Sequence, residues 1–251
     1  MNKEQKWLKR RLGMITASEL GQITSAKGGI IETNLSYIRS KRWERNHGFT
    51  HPVSAKTMDI GNEQEPYAFL WCERNLDILP IKLVYSKNMR DIPFWIAPDC
   101  PLGASPDAFT EDETVVIELK TLVGNTAIEF FGDPQTAYEE KKLAVWKDHG
   151  DQLLGQFLSN PKVQEIWLVK YIYQDDNIME DTDPIDAPWR GLVFKFARKD
   201  YVASIEEMRQ RVILIDKMID APVNPSAFKS GRWVVENGEL IEKPEEPKAK
   251  K

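Results

Sequence analysis

Apolar positions along this chain follow two different periods, and the changes between them mark the elements. Val115-Val116-Ile117 is a β-branched run and predicts a buried strand. It closes in Glu118-Leu119-Lys120. The two-residue period of a strand puts Glu118 and Lys120 on one face and turns Leu119 into apolar packing on the other. Just upstream, Gly103-Ala104-Ser105-Pro106-Asp107-Ala108-Phe109 and the polar turn Glu111-Asp112-Glu113 predict the other half of a hairpin. Pro106 has no N–H, which suits a strand start and sets Asp107 there. Strands are also predicted over 81–86 and 94–97, meandering into this hairpin, and over 165–173 and 191–197.

Helical spacing takes over elsewhere. Residues 3–12 carry Trp7, Leu8 and Leu12 on one side and stop at Gly13. Thr16 and Glu19 form a capping box that starts a helix near Ala17. A helix over 33–46 gathers Leu35, Ile38 and Trp43, with its basic residues opposite. Pro66 favours a first helical turn, so a further helix is predicted from there to about residue 75, with Glu65 at its start. Helices over 137–158 and 200–219 follow; the second spaces Val202, Ile205, Met208, Val212, Ile215 and Ile219 for core packing. The stretch 121–135 reads as irregular and 175–188 as an acidic loop. From Glu242 onward Pro, Glu and Lys dominate, which predicts disorder. The pattern predicts an α/β (α+β) chain: one domain over 1–240, a central mixed or mostly antiparallel sheet flanked by helices, and a charged tail at 241–251.

Composition narrows this picture. A chain of 251 residues with 41% hydrophobic content can bury one sizeable core. The net charge of -5 argues mildly against a nucleic-acid partner. Its distribution argues the other way: Lys3, Lys6, Lys9, Arg10 and Arg11 form one basic stretch and Arg39, Lys41, Arg42 and Arg45 another, while acidic residues gather at 175–186 and in the tail. Cys72 and Cys100 make no Cys-x-x-Cys pair, and His47, His51 and His149 have no metal-ligand spacing, so they read as surface or core residues. Lys27-Gly28-Gly29 is a loop, and the chain holds no P-loop motif. No run approaches the ~18 apolar residues of a membrane span, and the charged N-terminus is unlike a signal peptide, so a cytoplasmic location is expected.

The candidate chemistry lies in the hairpin. A buried strand ending in Glu-x-Lys needs an explanation, because unpaired buried charge is costly. A divalent cation shared by Asp107 and Glu118 supplies one, and such oxygen ligands suit Mg²⁺ or Mn²⁺. Glu65 is a candidate third carboxylate. Arg11 before the capped helix start at Thr16-Ala17-Ser18-Glu19 is a candidate phosphate site, although Thr16 and Glu19 also explain a plain capped helix. Gln152 and Gln156, one turn apart, are either a solvated helix face or contacts to phosphate or sugar.

Taken together, four stretches resemble the lambda-exonuclease family, which includes the YqaJ-like viral recombinases. They are Arg11-Leu12-Gly13-Met14-Ile15-Thr16-Ala17-Ser18-Glu19; Gly61-x-x-x-Glu65; Ala104-Ser105-Pro106-Asp107 followed by Glu118-Leu119-Lys120; and Gln152-x-x-x-Gln156. The first and third are the specific ones. The match covers about residues 7–173. It implies a restriction-endonuclease-like PD-(D/E)xK core and a Mg²⁺-dependent enzyme that digests one strand of linear double-stranded DNA from its 5′ end. It also implies two Mg²⁺ ions per site with Mn²⁺ as a substitute, a ring-shaped homotrimer, double-stranded DNA ends as substrate, and a single-strand annealing protein as partner in phage recombination. Carried over by position, Asp107, Glu118 and the Leu119 backbone carbonyl would hold metal, and Glu65 would complete the cluster through metal-bound water. Lys120 would position and help deprotonate the attacking water. Arg11, Ser18 and Gln152 would bind the terminal 5′-phosphate. Thr121-Leu122 stands where the family often has Cys-Pro, and Ala108 replaces a frequent Gly; neither change removes a ligand. The alternatives are an endonuclease on the same core and a non-catalytic DNA-end-binding scaffold.

Overall fold

The computed structural model describes residues 8–23, 35–49, 56–76, 83–85, 93–122, 124–132, 136–172, 187–229 and 232–243. In chain order the elements are β1 (Ile15–Thr16), α1 (Leu35–His47), α2 (Lys56–Asn75), β2 (Leu83–Tyr85), β3 (Trp95–Ile96), β4 (Leu102–Ala104), β5 (Ala108–Thr110) and β6 (Val115–Leu122). They continue with α3 (Gly124–Phe131), α4 (Tyr138–Ser159), β7 (Glu165–Ile172), β8 (Gly191–Ala197), α5 (Val202–Asp220), β9 (Arg232–Glu236) and β10 (Glu239–Lys243).

The main sheet has five strands in the order β2-β5-β6-β7-β8. β6 and β7 are parallel, and the other neighbours are antiparallel. A parallel pair needs a long crossover, and the segment carrying α3 and α4 provides it. The sheet is therefore mixed and covered on both faces. On one side Val116, Ile166, Leu168, Phe194 and Phe196 join Leu153 and Phe157 of α4 and Met208, Val212 and Ile215 of α5 in the larger core. On the other, Ile117, Leu119, Trp167, Val169 and Tyr171 pack with Ala68, Trp71 and Cys72 of α2. A second sheet, β1-β4-β3, is held against α4 through the 3-10 helix Ala17–Gln22. Gly155 makes that approach possible. A Cβ there would lie 2.7 Å from the Ala17 Cβ and 2.7 Å from Leu20 Cδ1.

Several expectations are corrected. The stretch from Gly103 to Phe109 is two short strands in different sheets; Pro106 interrupts them, and β4 turns to pair with β1 and β3. α2 starts at Lys56, so Pro66 lies inside it and Glu65 is in mid-helix. Proline removes one helical hydrogen bond, and burial of Ala68, Trp71 and Cys72 against the sheet holds the helix together across that gap. Residues 121–135 contain the end of β6 and all of α3, a helix too short for its period to stand out in the sequence. Residues 17–22 form a 3-10 helix, still opened by Glu19 accepting from the Thr16 N–H at 3.1 Å. The first three residues of the expected tail, 241–243, end strand β10. Lys3, Lys6, the loop at 27–29, the acidic residues at 175–186 and the tail at 244–251 lie outside the described residues. Among the described residues, no helix is long and apolar enough to cross a membrane.

Candidate active site

The register of the β5–β6 hairpin builds the site. Ala108 lies opposite Ile117 and Phe109 opposite Val116, so Asp107, one step before β5, stands at the rung of Glu118. Its Oδ2 accepts the Leu119 N–H at 2.7 Å, which turns the carboxylate back onto β6. Glu118 is 1% exposed and is held by side-chain donors. Lys120 Nζ and Gln152 Nε2 each donate to Oε1 at 2.6 Å, and Gln156 Nε2 donates to Oε2. Lys120 is on the Glu118 face, as strand alternation requires, and Leu119 is in the core on the α2 side. Glu65 comes in from α2, buried, and its Oε1 has no hydrogen-bond partner among the described residues. The same holds for the buried Gln156 Oε1.

The charges do not balance. Burial, then repulsion from Glu118, pushes the Glu65 carboxyl up to about 7, against the pull of Lys120. Burial and the same neighbour raise Asp107 well above the usual carboxylate range; Lys120 and the Leu119 N–H oppose the shift, and Glu65 adds to it. Burial works against the Lys120 ammonium, but Glu118 and Asp107 outweigh it and hold the proton more tightly than usual. Among the described residues, these three carboxylates share the Lys120 ammonium, and two of the three resist ionising. This is the electrostatic signature of a place that lacks positive charge.

The structure brings together Glu65, Asp107, Glu118, Lys120 and Gln152. Arg11 and Ser18 belong to the neighbouring wall, built by the second sheet and the 3-10 helix. Arg11 ends a helical turn at residues 8–11, and its guanidinium lies 6.0 Å from the centre of the Phe94 ring. Burial lowers its pKa, while Glu19 and Glu44 act the other way. Ser18 is exposed, with its hydroxyl 3.3 Å from that of Thr16. Gln152 points to Glu118, one turn of α4 before the Gly155 contact with Ala17 and Leu20. The sequence offers Gln152 and Gln156 a solvated face or contacts to phosphate or sugar; the structure instead aims both amides at Glu118, and it gives His149, read as a surface or core residue, Lys170 as a partner. The available signal was the spacing of His149, Gln152 and Gln156, which puts all three on one stripe of α4.

No family model matches the sequence, and no curated protein does. Solved structures match its fold. An alkaline exonuclease, LHK-Exo, from Laribacter hongkongensis superposes with a TM-score of 0.58 at 22% identity, over 86% of this chain and 94% of that one. The same protein in complex with dAMP gives a TM-score of 0.56 over the same shares, also at 22% identity. A phage-related exonuclease from Haemophilus somnus 129PT gives 0.55 at 14% identity, over 82% of this chain and 95% of that one. The chain has the mixed α/β fold of these exonucleases, a mixed sheet flanked by helices.

Proposed function

We propose that this chain is a divalent-metal-dependent deoxyribonuclease that degrades one strand of linear double-stranded DNA from its 5′ end. The observation that carries the reading is the buried carboxylate cluster around the Lys120 ammonium, with an unpartnered Glu65 oxygen among the described residues, standing on an exonuclease fold. A Mg²⁺ or Mn²⁺ ion would offset that negative charge. Asp107, Glu118 and the Leu119 carbonyl would hold it, with Glu65 acting through water. Among the described residues no group of three His, Cys, Asp or Glu side chains is set for a metal on its own; the Leu119 carbonyl and water oxygens are therefore required to complete the set. Bound cations of this kind neutralise the phosphodiester and make water nucleophilic near neutral pH.

The chain's own groups divide the remaining work. Gln152 and Gln156 fix the orientation of Glu118, so the carboxylate does not have to be ordered during the reaction. Lys120 places a fixed positive charge beside the carboxylates, where it offsets charge on an attacking oxygen. Arg11 and Ser18 on the adjacent wall would take a terminal 5′-phosphate, a group present only at a free end, and this explains end dependence. A homotrimer and a single-strand annealing partner belong to the same proposal.

The test is digestion of end-labelled linear duplex against closed circular duplex, with Mg²⁺ and with chelator. The expected result is Mg²⁺-dependent loss of the 5′-labelled strand from the linear DNA alone. Cutting of the circle would instead favour an endonuclease on the same core. Binding of ends without any cutting would favour a scaffold.

A further inference from the structure

The site face of the sheet carries a second lysine. β6 and β7 run parallel with Lys120 opposite Lys170, and residues paired across neighbouring strands point to the same side. Lys170 therefore faces α4, as Glu118 and Lys120 do. The stripe on α4 meets them in turn: Gln152 and Gln156 donate to Glu118, and His149 Nε2 lies 2.7 Å from Lys170 Nζ. An ammonium has only donors, so Nε2 is the acceptor and the imidazole is neutral with its proton on Nδ1. Burial and the charges of Lys170 and Lys120 agree, holding His149 down to about 3.

The two lysines differ in what balances them. Lys120 has Glu118 at 2.6 Å. Lys170 is 7% exposed, and among the described residues no carboxylate reaches it within ion-pairing distance. Its contacts are the neutral imidazole and the Phe130 ring, 5.9 Å away, while Asp148 acts only at longer range. A buried ammonium without a counter-charge is costly, and an anion arriving with a ligand removes that cost. Phosphate oxyanions are the anions that a nuclease site brings to this face.

We propose that Lys170, held by His149, is a second phosphate contact of the site, taking a phosphate oxyanion of the bound DNA strand beside Lys120. The proposal rests on the nuclease reading above. His149 is the positioning residue: it accepts one proton of Lys170 and directs the others, while burial and then the charge of Lys120 bring the ammonium down to about 8, a shift that a bound oxyanion would reverse.

The experiment titrates a fluorescein-labelled linear duplex with the full chain in chelator at several salt concentrations, for wild type and Lys170→Met, beside cleavage kinetics in Mg²⁺. Lys170→Met is expected to weaken binding about tenfold and to reduce the salt slope of log K by about 0.9, the value of one lost phosphate contact. KM should rise more than kcat falls. A purely structural lysine would leave the salt slope unchanged. His149→Leu should weaken binding in the same direction, and His149→Gln, which keeps an acceptor oxygen, should restore it. A Lys170→Met penalty equal on 5′-phosphorylated and 5′-hydroxyl duplexes supports an internal phosphodiester as the ligand; a penalty confined to phosphorylated ends supports the terminal phosphate. If wild type cleaves and Lys170→Met matches it in affinity and slope, the proposal is overturned. If wild type neither binds nor cleaves DNA, the nuclease reading itself has failed. Should Lys170→Met not fold, Lys170→Gln in the same titration decides.

Discussion

Beneath the 3-10 helix, Glu19 and Glu44 share the buried ammonium of Lys41 at 2.9 and 3.3 Å; at the hairpin, Glu65, Asp107 and Glu118 share Lys120 on much poorer terms. In the first cluster further donors complete the acceptors. Tyr37 and the Thr16 N–H reach Glu19, and the Gly13 N–H reaches Glu44. Arg45 then ties the Gly13 carbonyl to Asp216 and Asp220 of α5. In the second cluster a carboxylate oxygen is left without a partner among the described residues, and two carboxyls are pushed toward their neutral forms. Both clusters mix buried and partly exposed groups, so burial alone does not separate them. Satisfaction does: the first ties α1 to the second sheet, and the second leaves a Glu65 acceptor unused among the described residues.

The contrast can be broken from either side. Asp107→Ala should lower cleavage by about a thousandfold, on the scale of losing a group that acts on developing charge, while duplex binding in chelator stays near wild type. Single-turnover kinetics and anisotropy measure the two. Lys41→Met should act on stability instead. It leaves the buried Glu44 and the partly exposed Glu19 without their cation and should cost about 3 kcal/mol, read as a lower denaturant midpoint.

Glu65 sharpens the comparison through pH. Its folded pKa lies above the unfolded one, so between the ordinary carboxylate range and about 7 the folded chain keeps a proton that the unfolded chain has released. Stability in chelator should therefore fall as pH rises through that window, and stay low above it. Glu65→Gln should flatten the fall, and Mg²⁺ should counteract it in wild type; thermal melts across pH check both. The smallest effect is expected at Gly13. Its φ of +70° and the 2.6 Å that would separate an added Cβ from Arg45 Cγ make Gly13→Ala cost about 1–3 kcal/mol, visible in the melting temperature and with cleavage kept.

Much of the hairpin was legible because its chemistry is local. Alternation alone puts Glu118 and Lys120 on one face, and the order Pro-Asp, then Glu-x-Lys, points to Asp107. The helices at α1, α4 and α5 announced themselves by period. Short elements did not: β1 and β4 hold two and three residues, and pairing across the chain makes them strands. The β9–β10 hairpin did carry a readable signal, Asn237-Gly238, with φ of 51° and 80° at its turn. Pro66 misled in the opposite direction, because its preference for a first turn yielded to the packing of α2.

By itself the sequence determined which residue types meet at the hairpin, since strand period and turn position act over a few residues. Only the tertiary structure decided how they are balanced. Glu65 arrives from α2 and both glutamines from α4, and Lys170 stands beside Lys120 because β6 and β7 are parallel and in that register. Charge balance depends on distances between segments far apart in the chain, and local patterns do not carry those distances.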